Sequence, residues 1–182
     1  MTRHAHHIKL TPGYILHHRP YRDTSRILEV QSREFGRLCV FARGVRGLKA
    51  PYGPLLQPFN LLLLSWSRRG EAPTLTGAEL CGELQSLPAA ALMPAFYLNE
   101  LLLKLTAQHD PSSALFDLYH STLKSLKDGV PVAPCLRQFE QSLLSMLGYG
   151  TDLAAVLEHC QGGRELKTRA VARAIHGLRP GR

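Results

Sequence analysis

Arginine recurs between residues 19 and 47, in a stretch whose apolar residues alternate as they do in β-strands. Seven arginines lie within these twenty-nine residues. If RLCVFAR (37–43) is a strand, alternation places Leu38, Val40 and Ala42 on one face, and Arg37, Cys39, Phe41 and Arg43 on the other. Guanidinium groups bind phosphate, and an aromatic ring stacks on a nucleobase. The pattern therefore predicts a surface for single-stranded nucleic acid.

Other basic residues lie in the neighbouring loops and turns. The loop GVRGLK follows this strand, and SRRGEAP is a predicted hairpin turn. The nucleic-acid-binding candidates are Arg22, Arg37, Phe41, Arg43, Arg46, Lys49, Arg68 and Arg69. Turn solvation explains some arginines nearly as well, namely Arg19, Arg22, Arg26 and Arg33. Taken singly, Phe41 is more often a core residue, and Tyr21 and Tyr52 are as often barrel plugs as base partners.

The net charge of +8 is unevenly distributed along the chain. Residues 1–80 carry twelve Lys and Arg against five Asp and Glu, residues 81–160 carry four against eight, and residues 161–182 carry six against one. Segregated positive charge indicates polyanionic partners such as nucleic acid or anionic lipid. This collective bias favours binding over simple solvation.

Enzymatic, metal and membrane signatures are missing from the sequence. It contains no G-x-S-x-G, G-x-x-x-x-G-K-[ST], H-E-x-x-H or G-x-G-x-x-G motif. Four separated cysteines without a ligand spacing predict buried, reduced thiols rather than zinc: Cys39, Cys81, Cys135 and Cys160. We expect no cofactor, and we interpret His4, His6 and His7 as a flexible end. No apolar run is long enough for a bilayer and no signal peptide is recognisable, which predicts a cytoplasmic location.

The elements divide into strands and then helices. Predicted strands are GYILHH ended by Pro20, SRILEVQS, RLCVFAR, LLQPFNLLLLSW and TLTGAEL. Five strands predict a small β-barrel, with an OB-fold or an SH3-like barrel as alternatives. Predicted helices follow at LMPAFYLNELLLKLTAQ, at DPSSALFDLYHSTLKSLKDG with Asp110 as N-cap, at PCLRQFEQSLLSMLGYG and at RELKTRAVARAIHGL. The predicted class is α+β, with a domain at 1–82 and a helical domain at 83–182.

Several segments resemble the RecO family of bacterial recombinational DNA-repair proteins. They follow the family's order: YILHHRPYRDTSRILEVQSREFGRLCVFARGVR, LLQPFNLLLLSWSRRGEAPTLTGAE, YLNELLLKL, LRQFEQSLLSMLGYG and GRELKTR. The resemblance implies an N-terminal five-stranded OB-fold, a helical domain, and a mediator that binds single- and double-stranded DNA and anneals complementary strands. It also implies RecR as partner and help to RecA in replacing single-strand-binding protein on gapped DNA.

The chain departs from the family pattern in two places. Some members carry a four-cysteine zinc finger, and this chain has only the isolated Cys160 where one could begin. In addition, about a dozen residues separate Gly150 from Arg164, where the family has a longer segment. The family's helical domain also receives the acidic, apolar tail of single-strand-binding protein. By the match to LRQFE, Arg137 is a candidate to bind the carboxylate of that tail, with Lys124 and Lys127 as weaker neighbours. A basic side chain that is simply exposed on a helix explains each of the three about as well.

The leading hypothesis is a non-catalytic DNA-binding and annealing mediator at the bacterial nucleoid. The alternative is a scaffold module whose basic surface binds RNA or an acidic protein. A hydrolase with an unrecognised active site is a weaker third.

Overall fold

A computed structural model describes residues 6–46, 50, 52–68, 72–82 and 86–148. Five strands come first, followed by three helices. The strands are β1 (His6–Tyr21), β2 (Ser25–Ser32), β3 (Gly36–Ala42), β4 (Leu61–Arg68) and β5 (Thr74–Leu80). The helices are α1 (Ala89–Leu105), α2 (Ser113–Lys127) and α3 (Val132–Met146).

The strands close into a barrel in the order β1-β2-β3-β5-β4, with β4 paired back onto β1. Neighbours are antiparallel except β3 and β5, which meet in parallel where Phe41 lies opposite Thr74. A five-stranded barrel of this kind is an OB-fold. The predicted α+β class is confirmed, and the SH3-like alternative is not the one adopted.

Strand β1 is longer than predicted because it pairs with two neighbours in succession. Residues 6–14 pair with β4 and residues 13–21 pair with β2. The predicted end at Pro20 is therefore wrong. Beyond Tyr14 only β2 pairs with β1, and proline is tolerated on a strand edge that has no partner.

Two other local predictions in the barrel are wrong. The predicted flexible N-terminal end does not hold for His6 and His7, which lie in β1 opposite Arg68 and Ser67; His4 is outside the described residues. Strand β4 begins only at Leu61, because the preceding residues form turns stabilised by backbone hydrogen bonds and by Asn60, whose Nδ2 donates to the Leu55 carbonyl at 3.2 Å.

The barrel interior is filled by the alternate residues that face inward. Strand β3 shows the period clearly, since Leu38, Val40 and Ala42 are buried while the residues between them are half-buried. The predicted inward face of this strand is thus confirmed. The barrel core comprises Ile15, Leu28, Val30, Leu38, Val40, Ala42, Val45, Leu56, Leu62, Leu64, Trp66, Leu75 and Ala78.

The helices keep the predicted periodicity, but all three begin elsewhere, and α3 starts at Val132 rather than at Pro134. Helix α1 starts at Ala89, so Pro94 lies inside it, beyond the first turn. Helix α2 is capped by Ser112, whose hydroxyl accepts from the Leu115 N–H at 3.2 Å, and the predicted cap Asp110 is wrong. Gly129, with φ of +79°, follows the helix as predicted.

The inward faces of α2 and α3 are mostly as predicted. In α2 the whole predicted stripe is buried: Leu115, Tyr119, Leu123 and Leu126. In α3, Phe139 and Leu143 are buried, whereas Leu136 and Leu147 are only half-buried. The predicted helix at 164–178 lies outside the part of the chain that the structure describes.

A polar and aromatic cluster joins the barrel to the first two helices. The Asn99 Nδ2 donates to the Leu16 carbonyl at 2.8 Å, and the Tyr119 hydroxyl donates to Asn99. The Tyr14 ring lies edge-on to Tyr119 with centroids 5.1 Å apart, and the Tyr14 hydroxyl is 2.7 Å from His120 Nδ1. Because each buried polar group has a partner, this cluster fixes α1 and α2 against β1.

The chain divides into two compact units, Met1–Phe139 and Glu140–Arg182. The first contains the barrel, α1, α2 and the start of α3. The second begins within α3. The change from strands to helices falls between β5 and α1, and the domain boundary at residues 82 and 83 stays a prediction.

Candidate nucleic-acid interface

Strands β2 and β3 have an outward-facing side that continues onto the start of β5 and the end of β4. Pairing places residues of all five strands in a single row around the barrel, two of them from β1: His7, Arg19, Ile27, Phe41, Thr74 and Ser67. A second row, two residues further along these strands, contains His17, Glu29 and Cys39. We call these two rows the outer face. Its centre is apolar, with Phe41 half-buried and Ile27 buried beside it.

An aromatic pair stands at the hairpin end of the outer face. The Phe41 ring, half-buried, lies nearly perpendicular to the Tyr21 ring, with centroids 5.2 Å apart. Tyr21 is 37% exposed, and the Arg22 guanidinium carbon lies 5.3 Å from its ring centroid. An exposed ring beside a cation is suited to stacking on a base whose phosphate is bound nearby.

Exposed arginines border this aromatic pair. Arg22 lies at the tip of the β1–β2 hairpin with φ of +52°, and Arg43 and Arg46 lie in the turn that follows β3. Arg46 is also bonded to the hairpin, since its Nη1 donates to the Arg22 carbonyl at 3.1 Å. The structure thus brings three predicted binding residues to one end of the barrel.

Arg68 lies at the end of β4, one residue past the row that contains Phe41. It is the exposed last residue of β4, and its neighbour Ser67 lies opposite Thr74, which lies opposite Phe41. Because neighbouring strands are about 5 Å apart, the Arg68 backbone is roughly two strand spacings from β3. The predicted residues Lys49 and Arg69 lie outside the described residues.

Arg37 faces outward as predicted, but its side chain is engaged within the protein. Its Nη1 is 3.2 Å from Glu29 Oε2, and its Nη2 donates to the Thr106 carbonyl at 2.9 Å. Only 14% of the side chain is exposed. The residues after α1 therefore cover this end of the outer face, and Arg37 connects them to the barrel.

Burial changes the pKa of one thiol on the outer face and of one histidine beside it. Burial, reinforced by the nearby Glu29 carboxylate and opposed by Arg19, raises the pKa of the Cys39 thiol. His18 lies opposite Leu28 and is not in either row of the outer face; burial, followed by the charge of Arg26, lowers the pKa of its imidazole. Arg19 places a permanent positive charge in the row of Phe41.

The cysteine prediction needs a correction. Cys39, Cys81 and Cys135 are free thiols, but they are half-buried rather than buried. Cys39 lies on the outer face because its parity is that of Phe41. Cys160 is outside the described residues.

Where the structure describes the chain, no three His, Cys, Asp or Glu side chains gather as they would around a metal ion.

The helical candidates lie on α2 and α3. Lys124 and Lys127 are in the last turn of α2, where positive charge also stabilises the helix dipole. Arg137 is exposed on α3, on the opposite side from the buried Phe139. The Cys135 Sγ lies 4.0 Å from the Thr122 carbonyl, which places the start of α3 against α2.

Two residues of this surface were weighed in the sequence but not chosen as binding candidates: Arg19, which turn solvation explained nearly as well, and Tyr21, as often a barrel plug as a base partner. Arg19 lies in the row of Phe41, and Tyr21 stands beside it at the hairpin. The period of two from Arg19 to Tyr21 could have indicated both, had β1 been extended past Pro20.

No helix in the described part of the chain is long and apolar enough to span a bilayer.

Two family models cover most of the chain. Recombination protein O N terminal matches residues 7–83, and Recombination protein O C terminal matches residues 89–173. The chain belongs to the RecO family. The expectation from the sequence resemblance is thereby confirmed, and the family is one of DNA-repair proteins.

Individual RecO proteins are similar over most of this chain. The DNA repair protein RecO of Nitrosococcus oceani is 48% identical over 143 residues, which are 79% of this chain and 58% of that protein. That of Cellvibrio japonicus is 44% identical over 145 residues, covering 80% and 61%. That of Ralstonia nicotianae is 41% identical over 165 residues, covering 91% and 59%. The chain thus spans less than two thirds of the length of these RecO relatives.

Proposed function

We propose that this chain is a DNA-binding and strand-annealing mediator in recombinational DNA repair, which helps RecA replace single-strand-binding protein on gapped DNA. The observation that supports this most is the outer face of β2 and β3, with its exposed Tyr21 ring and half-buried Phe41 bordered by exposed arginines. In OB-folds, this face and the loops beside it bind oligonucleotides.

The proposed role is non-catalytic. Annealing makes and breaks no covalent bond; it needs two strands brought together with reduced phosphate repulsion. Arg19, Arg22, Arg43 and Arg68 supply fixed positive charge around an apolar floor. We propose that phosphates bind to these arginines while bases contact the aromatic pair.

Fluorescence anisotropy with labelled oligo(dT) at several salt concentrations tests this function. The variant R43E/R68E should weaken binding and reduce the slope of log affinity against log salt by about 1.4, since each phosphate contact contributes about 0.7 for single strands. The matched control is K124E/R137E, which changes net charge equally on the helices and should keep the wild-type slope.

Equal slopes in both double variants would contradict the proposed interface. Tighter binding of RNA or of an acidic peptide than of DNA, at matched salt, would support the scaffold alternative. Acceleration of annealing between complementary strands, including strands coated with single-strand-binding protein, tests the mediator role itself.

We further propose that Arg137 binds the terminal carboxylate of the acidic tail of single-strand-binding protein, with Lys124 and Lys127 contributing weakly. Its exposure on α3 supports this role. R137A should lose affinity for an acidic, apolar peptide with a free C-terminus but not for its amidated form. K104A, which alters an exposed lysine on α1, is the control. RecR and, indirectly, RecA complete the proposed partners, at the nucleoid in the bacterial cytoplasm.

A further inference from the structure

Arg46 makes two contacts with the tip of the β1–β2 hairpin. Its backbone N–H donates to the Thr24 carbonyl at 3.0 Å, and its Nη1 donates to the Arg22 carbonyl at 3.1 Å. Both acceptors belong to the short connection between β1 and β2. A single residue therefore ties the loop after β3 to this hairpin tip by main chain and side chain together.

The hairpin tip also positions the exposed aromatic ring. Tyr21 immediately precedes Arg22, whose φ of +52° is uncommon for a residue with a side chain. The Tyr21 ring lies nearly perpendicular to Phe41 at 5.2 Å. Of the two rings, Tyr21 is the more exposed, whereas Phe41 is half-buried next to it.

Arg43 provides a comparison in the same turn. It lies three residues before Arg46 and is also exposed, and its turn continues through Gly44 with φ of +67°. Among the described residues, no hydrogen bond or ion pair joins its side chain to the hairpin. The two arginines thus carry equal charge in one loop but differ in their connection to the hairpin tip.

We propose that Arg46 is a positioning residue that fixes the hairpin tip, and that Tyr21 is the ring on which an unpaired nucleobase stacks. This inference rests on the proposed function and deepens it by separating two roles among the arginines. Arg43 binds phosphate. Arg46 holds the stacking ring in place, and Phe41 supports that ring from below.

The first test compares R46M with R43M, since methionine keeps an apolar stem and removes one charge in each. The measured quantity is the ratio of affinities for oligo(dT) and for an abasic oligonucleotide of equal length. Stacking of one base is worth roughly 5- to 150-fold in affinity. We expect Y21L and R46M to reduce the ratio at least 5-fold. R43M should retain it, because losing a phosphate contact weakens binding of both strands alike.

The second test uses the free protein, so that it does not depend on DNA binding. NMR ring-proton shifts of Tyr21 and Phe41 should move in R46M and stay in place in R43M, with unchanged melting temperatures showing that both variants are folded. Unchanged shifts in R46M, or an affinity ratio equal to that of R43M, would overturn the positioning role. If wild-type protein binds neither oligonucleotide, the proposed function and the stacking role fail together, while the NMR comparison still decides whether Arg46 holds the hairpin.

Discussion

Arg37 and Glu29 form an ion pair on the outside of the barrel, with 3.2 Å between Nη1 and Oε2. The same guanidinium donates to the Thr106 carbonyl, so that it joins β2, β3 and the residues that follow α1. In addition, the His109 N–H donates to the Arg37 carbonyl at 2.8 Å. An arginine chosen from the sequence as a phosphate ligand is therefore a connection between barrel and helices.

The variant R37M/E29Q tests this structural role without changing the net charge. We expect the free energy of unfolding to fall by about 2 kcal/mol, because the Thr106 carbonyl loses a charged donor in a half-buried place. Urea denaturation measures the loss. The salt slope for oligo(dT) should remain that of the wild type, and a stable variant with a reduced slope would restore Arg37 to the DNA interface.

Gly36 and Gly44 share a φ of +67° but differ in their surroundings. A Cβ on Gly36 would collide with the Asp110 carbonyl, whereas a Cβ on Gly44 would meet nothing within 4 Å. G44A should cost about 1 kcal/mol from backbone strain alone. G36A should cost at least about 2 kcal/mol more, since two backbone segments must separate. Thermal unfolding of the two variants gives the comparison, and equal losses would contradict the close approach of Asp110.

The start of α2 offers a second matched pair, Ser112 and Asp110. Because the Ser112 hydroxyl accepts from the Leu115 N–H, S112A should lower the free energy of unfolding by about 1 kcal/mol. D110A should change it by less than about 0.5 kcal/mol. Chemical denaturation distinguishes the two, and a larger loss in D110A would reinstate the cap expected from the sequence.

We expect Tyr14 and Tyr119 to make the free energy of unfolding fall at alkaline pH. Burial raises the pKa of both phenols. The nearby Cys81 raises the pKa of Tyr14 further, and Tyr14 raises that of Tyr119. Below about pH 10 these phenols are protonated in both folded and unfolded protein, so they add no pH dependence. Above it, the unfolded chain releases their protons first, and stability falls by about 1.4 kcal/mol per pH unit for each.

Urea denaturation between pH 9 and pH 11 measures this effect. Y14F/Y119F should show a shallower decline with pH than the wild type, whatever its absolute stability. Y21F, which makes the same substitution at an exposed tyrosine outside the cluster, is the matched control. An unchanged decline in the double variant would show that other groups govern alkaline unfolding.

Much of the barrel could be predicted because its information is local. The strand at 25–32 and the alternation of 37–43 follow from a period of two, and the helices follow from apolar stripes with glycine stops. Element ends were less predictable. Pro20 and Asp110 carry strong local preferences, but pairing of β1 with β2 and the hydroxyl of Ser112 decided where these elements end and begin.

The sequence alone determined which residues face outward from β3, since alternation along a strand depends only on position. It could not decide which of Arg37 and Arg43, on the same side of the strand, is exposed to solvent and which is bonded within the protein. The tertiary structure brings the residues after α1 over Arg37 and leaves Arg43 in solvent. Contacts between residues nearly seventy positions apart are set by how barrel and helices pack, and packing is a property of the whole fold rather than of any local pattern.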